Sequence, residues 1–167
     1  LFEQKICEFT GAKYAVACVN GTSALQVALQ IVGVKSQDEV IVPTLTFISP
    51  INVVKYLNAE PIFMDCDKFY NIDIGKTIQF IQKETFYKNG YTESLGSFYS
   101  VGKYHGKFTG TIGDIGCYSF NGNKIITTGG GGMIVTDNKE DADKAKYLTT
   151  QAKDDKVRYI HNEIGYN

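Results

Sequence analysis

Lys124 stands in the run Ser119-Phe120-Asn121-Gly122-Asn123-Lys124, just ahead of Thr127-Thr128-Gly129-Gly130-Gly131-Gly132. A primary amine beside a glycine run, which lets backbone approach a ligand closely, is equipped to form a Schiff base with an aldehyde, and the upstream hydroxyl of Ser119 can hold an anion. Lone lysines and glycine runs are ordinary loop features. Lys124 differs in its place between a predicted buried strand (Ile115, Cys117, Tyr118, Phe120) and the apolar pair Ile125-Ile126, a setting expected to desolvate the amine. The commoner glycine-rich phosphate motifs do not fit. No G-x-x-x-x-G-K-[ST] occurs, and Ile134 occupies the place where a G-x-G-x-x-G starting at Gly129 needs glycine.

Asn20-Gly21-Thr22-Ser23-Ala24-Leu25 follows a predicted strand and opens a predicted helix, offering free backbone N–H groups, a favourable dipole and hydroxyls. Alone it could be an ordinary helix start capped by Thr22 or Ser23. Joined to Lys124 and Ser119 it reads as an anion site, with Thr22, Ser23 and Ser119 expected to converge on one phosphate. A phosphorylated aldehyde held by a lysine is pyridoxal phosphate. Pro43-Thr44-Leu45-Thr46-Phe47 leaves the next strand at its C-terminal end, the edge where ligands sit in open α/β sheets. There Phe47 can stack on a cofactor ring or fill the core ahead of its helix.

The elements that must position these residues alternate. Strands are expected at 14–19, 40–43 and 61–64, with helices at about 22–32, 49–57 and 74–83, after an opening helix marked by Phe2, Ile6 and Phe9. Such β-α-β alternation predicts an α/β fold with helices layered on a mostly parallel sheet. From Glu84 to Tyr104 no apolar run can serve as the next strand, so residues 84–114 are either a functional loop or a sign that a stretch near Asn89–Thr92 is missing. Regularity returns with strands at 115–120 and 133–136 and a helix at about 138–151, its charged face expected to pair Glu140 with Lys144.

The 167 residues, 43% hydrophobic with a net charge of −1, suffice for one core and give no electrostatic pull toward nucleic acid. Cys7, Cys18, Cys66 and Cys117 form no C-x-x-C pair, which fits a reducing cytoplasm. No apolar stretch approaches a membrane span, and no metal-ligand spacing is present. Because the chain begins inside a helical pattern, it is expected to be a piece of a longer polypeptide. His105 and His161 lack triad partners, and the loop around His105 reads as surface or substrate-facing.

Taken in order, Gly21-Thr22-Ser23-Ala24-Leu25, Pro43-Thr44-x-Thr46-Phe47, Gly113-Asp114, Tyr118-Ser119-Phe120 with Lys124, Thr127-Thr128-Gly129-x-Gly131-Gly132 and Gly165-Tyr166-Asn167 resemble the DegT/DnrJ/StrS family of sugar aminotransferases. The resemblance covers nearly the whole chain and is nearest to the legionaminic-acid-type enzymes that make 4-amino sugars. It implies the aspartate-aminotransferase fold, type I among pyridoxal-phosphate transferases, with 1–167 as an incomplete cofactor-binding large domain. It also implies a cytoplasmic homodimer with shared active sites, acting on a nucleotide-linked keto-deoxysugar with an amino-acid donor such as glutamate. By that resemblance Lys124 carries the cofactor, and Gly21, Thr22, Ser23 and Ser119 hold its phosphate. Phe47 covers the ring, Glu93 lies near its phenolic oxygen, and Asn167 reaches the partner subunit's phosphate.

The chain departs from the family pattern at two places. Gly129-Gly130-Gly131-Gly132 stands where the family has Gly-Glu-Gly-Gly, and Gly90 stands where an Asp should pair with the ring nitrogen. Thr92-Glu93-Ser94-Leu95-Gly96 resembles the stretch just after that Asp, so the segment bearing it is expected to be missing between about Asn89 and Thr92. Two alternatives stand beside the aminotransferase. Family dehydratases replace the lysine with His, which Lys124 argues against. A non-catalytic binding or regulatory protein on the same fold would be favoured if Gly90 truly occupies the Asp position.

Overall fold

The computed structural model describes residues 1–84, 103–155 and 157–166. The elements in chain order are α1 (Phe2–Thr10), β1 (Tyr14–Cys18), α2 (Gly21–Ile31), β2 (Glu39–Pro43), α3 (Ile48–Tyr56), β3 (Glu60–Met64), α4 (Ile74–Glu84), β4 (Lys103–Tyr104), β5 (Lys107–Phe108), β6 (Ile115–Ser119), β7 (Gly132–Thr136) and α5 (Lys139–Thr149). They divide into two units, one within Leu1–Gly33 and Ser94–Asn167, the other within Val34–Glu93. Asn89–Thr92 and Glu93 lie outside the described residues, as does Asn167.

In the first unit β7 is the central strand, and its run of Gly132, Met133, Ile134, Val135 and Thr136 is buried throughout. An apolar strand of this kind needs cover on both faces. The order is β1-β7-β6, with rungs Cys18–Gly132–Ser119 at one end and Tyr14–Thr136–Ile115 at the other. Strand alternation sends Tyr118, Met133 and Val135 to one face, where Phe120 and Ala12 join them and Ile6 of α1 packs against them. The Phe2 ring meets Phe120 edge-on at 5.3 Å. The opposite face carries Val16, Cys117 and Ile134, covered by α2 and α5 through Ala24, Val27, Ala28, Ala142, Ala145 and Leu148. Each large side chain enclosed in this way contributes about 1.5–3 kcal/mol.

The α/β fold holds, and within the first unit's sheet β7 runs antiparallel to both neighbours. The cause lies in the connection. No helix separates β6 from β7, and a parallel neighbour needs a long crossover, normally helical, so the chain turns straight back on itself. In the second unit β2 and β3 are parallel, as expected, joined by α3. Their ends are locked by Thr44, whose amide and hydroxyl both donate to Met64 O at 2.8 Å.

Within the 84–114 stretch, read as a functional loop or the sign of a missing segment, β4 and β5 pair as a short hairpin. His105 (φ 48°) and Gly106 (φ 81°) form its turn with both φ values positive, the geometry that matches strand twist in a two-residue loop. His161 also acquires a place: its Nδ1 lies 2.8 Å from Gln151 O, in a tail fastened by Tyr166 N donating to Leu148 O at 2.7 Å. The Tyr166 hydroxyl accepts from Gln30 Nε2 of α2 at 2.8 Å. Lys144 does not pair with Glu140 as expected. It reaches Glu163 of the same tail, and Lys139 pairs with Asp143 at 2.5 Å. Among the described residues no helix is long and apolar enough to cross a membrane.

Gly116 is the tightest glycine among the described residues, since a Cβ there would lie 1.9 Å from Gly110 O. The same contact region holds the Tyr118 hydroxyl, which donates to Thr109 O at 2.6 Å. Gly116→Ala should therefore destabilise the protein by about 3 kcal/mol, the upper end of ordinary overpacking costs. Urea unfolding measures it, and a midpoint equal to wild type would show that the 109–110 segment yields freely.

Glu3 of α1 accepts hydrogen bonds from Ala17 N and from Lys146 Nζ, both at 2.8 Å, and so ties α1, β1 and α5 together. Burial pushes its carboxyl upward, but these bonds and the Lys146 charge outweigh that effect and leave it below the ordinary 4.5. A lowered carboxylate stabilises fully above its unfolded value and loses that contribution as pH falls through its folded one. Wild type should lose this increment as the pH drops below 4.5. Glu3→Gln should be weaker by about 1 kcal/mol at neutral pH and converge with wild type in acid. Thermal unfolding from neutral pH to pH ~3 tests the convergence.

Candidate functional site

The rung Cys18–Gly132–Ser119 is the last of the sheet, and the chain leaving β1 opens α2 directly above it. Two glycines set the distance. A Cβ on Gly132 would lie 2.3 Å from Asn20 O, and one on Gly21 would lie 2.6 Å from Ser119 Cβ. Any side chain at either position would push the helix off the sheet edge. The N-terminus of α2 and Ser119 therefore occupy the same edge.

The cap of α2 is Asn20, whose Oδ1 accepts from Ser23 N at 2.8 Å. The alternative of an ordinary helix start capped by Thr22 or Ser23 therefore does not hold. Asn ranks among the best N-caps, and its place just before Gly21 was the available signal. With Asn20 in that role, the Thr22 and Ser23 side chains fall in the first turn, where the partial positive charge of the helix is concentrated.

Lys124 rides on the connection between β6 and β7. Its amide donates to Asn121 O at 3.0 Å, closing a turn, and its side chain is half-buried. Ile125 and Ile126 do not enclose it as expected, being 103% and 48% exposed. Apolar identity produces burial only where something packs on it, and here the loop projects beyond the sheet. Downstream, Gly129 (φ 82°) and Gly131 (φ 149°) use backbone conformations that disfavour side chains. Gly130 differs in having no positive φ, and a Cβ there would meet nothing within 4 Å, so the backbone accepts a side chain at the position where the family pattern has glutamate.

In the second unit Phe47 occupies the N-cap position of α3 at the C-terminal end of β2 and is 57% exposed. It is therefore not a core residue. Glu93 and Asn167 lie outside the described residues. Beneath the first unit's site, burial pushes the Cys117 thiol up and the Cys18 thiol up to about 12. Neither is a thiolate at neutral pH, so the sulfur atoms nearest the edge are packing groups and not nucleophiles.

The sequence profile of the DegT/DnrJ/EryC1/StrS aminotransferase family matches residues 1–89 and 94–167. GDP-perosamine synthase of Escherichia coli O157:H7 is 37% identical over 194 residues, covering 99% of this chain and 52% of that protein. The putative pyridoxal phosphate-dependent aminotransferase EpsN of Bacillus subtilis (strain 168) is 34% identical, with 99% of this chain and 50% of that protein covered. Among solved structures, Helicobacter pylori PseC, an aminotransferase involved in the biosynthesis of pseudoaminic acid, superposes with a TM-score of 0.84 at 26% identity over 99% of this chain and 52% of its own. The chain spans about half the length of these relatives. Its fold is that of the type I pyridoxal-phosphate transferases, and by this profile and these identities the chain belongs to the DegT/DnrJ/EryC1/StrS aminotransferase family.

Proposed function

We propose that the protein is a pyridoxal-phosphate aminotransferase that moves an amino group from an amino acid, with glutamate as donor, onto the keto group of a nucleotide-linked deoxysugar. The product serves surface-glycan biosynthesis. One observation carries this reading: the N-terminus of α2 is pressed against Ser119 at the end of the same β6–β7 hairpin whose connection bears Lys124. The family and the named activities of relatives such as GDP-perosamine synthase support the substrate class.

The residues present fit the cofactor. Gly21 and Gly132 make a cradle that a Cβ would fill, and the α2 N-terminus offers an anion its N–H groups. Thr22, Ser23 and Ser119 would supply hydroxyls to the phosphate, and by the family resemblance Phe47 would cover the ring and Glu93 would serve its phenolic oxygen. When bound, the cofactor supplies an electron sink for the charge that develops on the substrate carbon. Lys124 would hold the cofactor through its Nζ amine, and the same amine would serve as general base and acid for the proton at the substrate carbon. The enzyme acts as a cytoplasmic homodimer, with Asn167 reaching the partner subunit's phosphate. Exposed Ile125 and Ile126 beside Lys124 support an apposed surface, and four unpaired cysteines support a reducing compartment.

We infer as well that the chain lacks a stretch between about Asn89 and Thr92 that bears the ring-nitrogen carboxylate. The family match breaks between 89 and 94, and the E. coli alignment runs over 194 positions although the chain has 167 residues. Sequencing the gene across this junction tests the inference. An uninterrupted reading frame encoding Lys88-Asn89-Gly90-Tyr91-Thr92 would defeat it and favour a non-catalytic binding protein on this fold.

Lys124→Ala should lower turnover by at least about a hundredfold to ten-thousandfold, the range of a lost general acid–base group. After borohydride treatment of wild type, peptide mapping should place the pyridoxyl label on Lys124. A label on another lysine would end the assignment. Gly21→Ala, which forces a Cβ to 2.6 Å from Ser119, should weaken pyridoxal phosphate binding by about tenfold, equivalent to about 1.4 kcal/mol. Absorbance titration measures it, and unchanged affinity would place the phosphate elsewhere.

A further inference from the structure

The connection bearing Lys124 leaves and rejoins the sheet through a narrow neck. On the near side stands Phe120, anchored in the core against the Phe2 ring. Its amide donates to Gly131 O at 2.9 Å, and its carbonyl accepts from Thr128 N at 3.0 Å. Thr127 adds a bond of another kind. Its hydroxyl donates to the same Phe120 carbonyl at 2.9 Å, while its oxygen accepts the Gly129 amide at 2.9 Å. One side-chain oxygen thus joins the last anchored residue before Lys124 to the first glycine of the run after it.

Beyond the neck the chain runs through Asn121–Ile126, where exposed Ile125 and Ile126 contribute little packing to hold it. The hydrogen bonds at its base help to set its position, so loosening one of them shifts the atoms further out. Reacting groups tolerate little displacement, since about 1 Å of misplacement can cost about a hundredfold in rate. The neighbouring Thr128 hydroxyl does not span the neck, because it donates to Gly130 O at 2.5 Å on the same side.

We propose that Thr127 is a positioning residue for the Lys124 amine, acting through the hydroxyl bridge from Phe120 O to Gly129 N. This role rests on the assignment of Lys124 proposed above. It requires a group that both donates and accepts, which Ser retains and the isosteric Val lacks. Thr127 is exposed, so its substitution leaves the core intact and the effect should appear at the lysine and not in global stability.

The test compares the intact wild-type protein with Thr127→Val, Thr127→Ser and Thr128→Val. It uses pyridoxal phosphate titration, borohydride trapping with peptide mapping, the pH profile of cofactor absorbance, acetylation of Lys124 in the cofactor-free protein, and thermal unfolding. Thr127→Val should bind pyridoxal phosphate about tenfold more weakly, trap less label on Lys124, and shift both the absorbance profile and the acetylation rate, with its unfolding midpoint unchanged. Thr127→Ser should restore the wild-type values and Thr128→Val should keep them. Wild-type binding, labelling, absorbance and acetylation in Thr127→Val, with the wild-type label on Lys124, would overturn the positioning role alone. A large fall in its unfolding midpoint would make the hydroxyl a fold element and also overturn that role. A wild-type label on a different lysine would overturn the Lys124 assignment and this role with it.

Discussion

The approach of the α2 N-terminus to the last rung of the β1-β7-β6 sheet is the constraint on which the rest of the first unit depends. It is steric before it is electrostatic. Gly132 admits the Asn20 carbonyl and Gly21 admits Ser119, so the helix begins in van der Waals contact with the strands it covers. The helix axis, and with it the cover that α2 lays over β6 and β7, follows from that starting point. The site inherits its position from the same contact, because the helix end that favours an anion is the end that the glycines press against the sheet.

Much of this was legible in the chain. Every long element existed where periodicity placed it, because strands such as 115–119 and helices such as α2 carry apolar patterns that only one secondary structure satisfies. Strand direction was harder. Alternating elements suggested parallel neighbours, yet the decisive sign was the helix-free link between β6 and β7, a matter of connection length and not of residue type. The β4–β5 hairpin escaped notice because a ladder of two rungs has no periodicity, although His105-Gly106 was a usable turn signal.

For the candidate site, the order of motifs singled out Lys124, Ser119 and the Gly21 turn, and the structure sets the Gly21 turn directly against Ser119. What the chain could not reveal was tertiary. The exposure of Ile125 depends on what faces it, and an apolar pair in sequence says nothing about that. Likewise Gly132 looked like one of four equivalent glycines, whereas its partner, the Asn20 carbonyl, is far away in sequence. Pairing of Lys144 with Glu163 in place of Glu140 arises in the same way, from a tail that returns across α5.

The sheet register has a kinetic consequence. β6 and β7 are near neighbours in the chain and can zip together soon after synthesis, but Tyr14 of β1 must wait for Thr136. With translation advancing at about 5–20 residues per second, β1 exists for several seconds as a strand without its mate. An unsatisfied strand is open to pairing with other chains. Glu3 lies close enough in sequence to reach the Ala17 amide before β7 appears. The α1 helix is thereby suited to act as a local escort, occupying one side of the nascent strand during its most vulnerable interval.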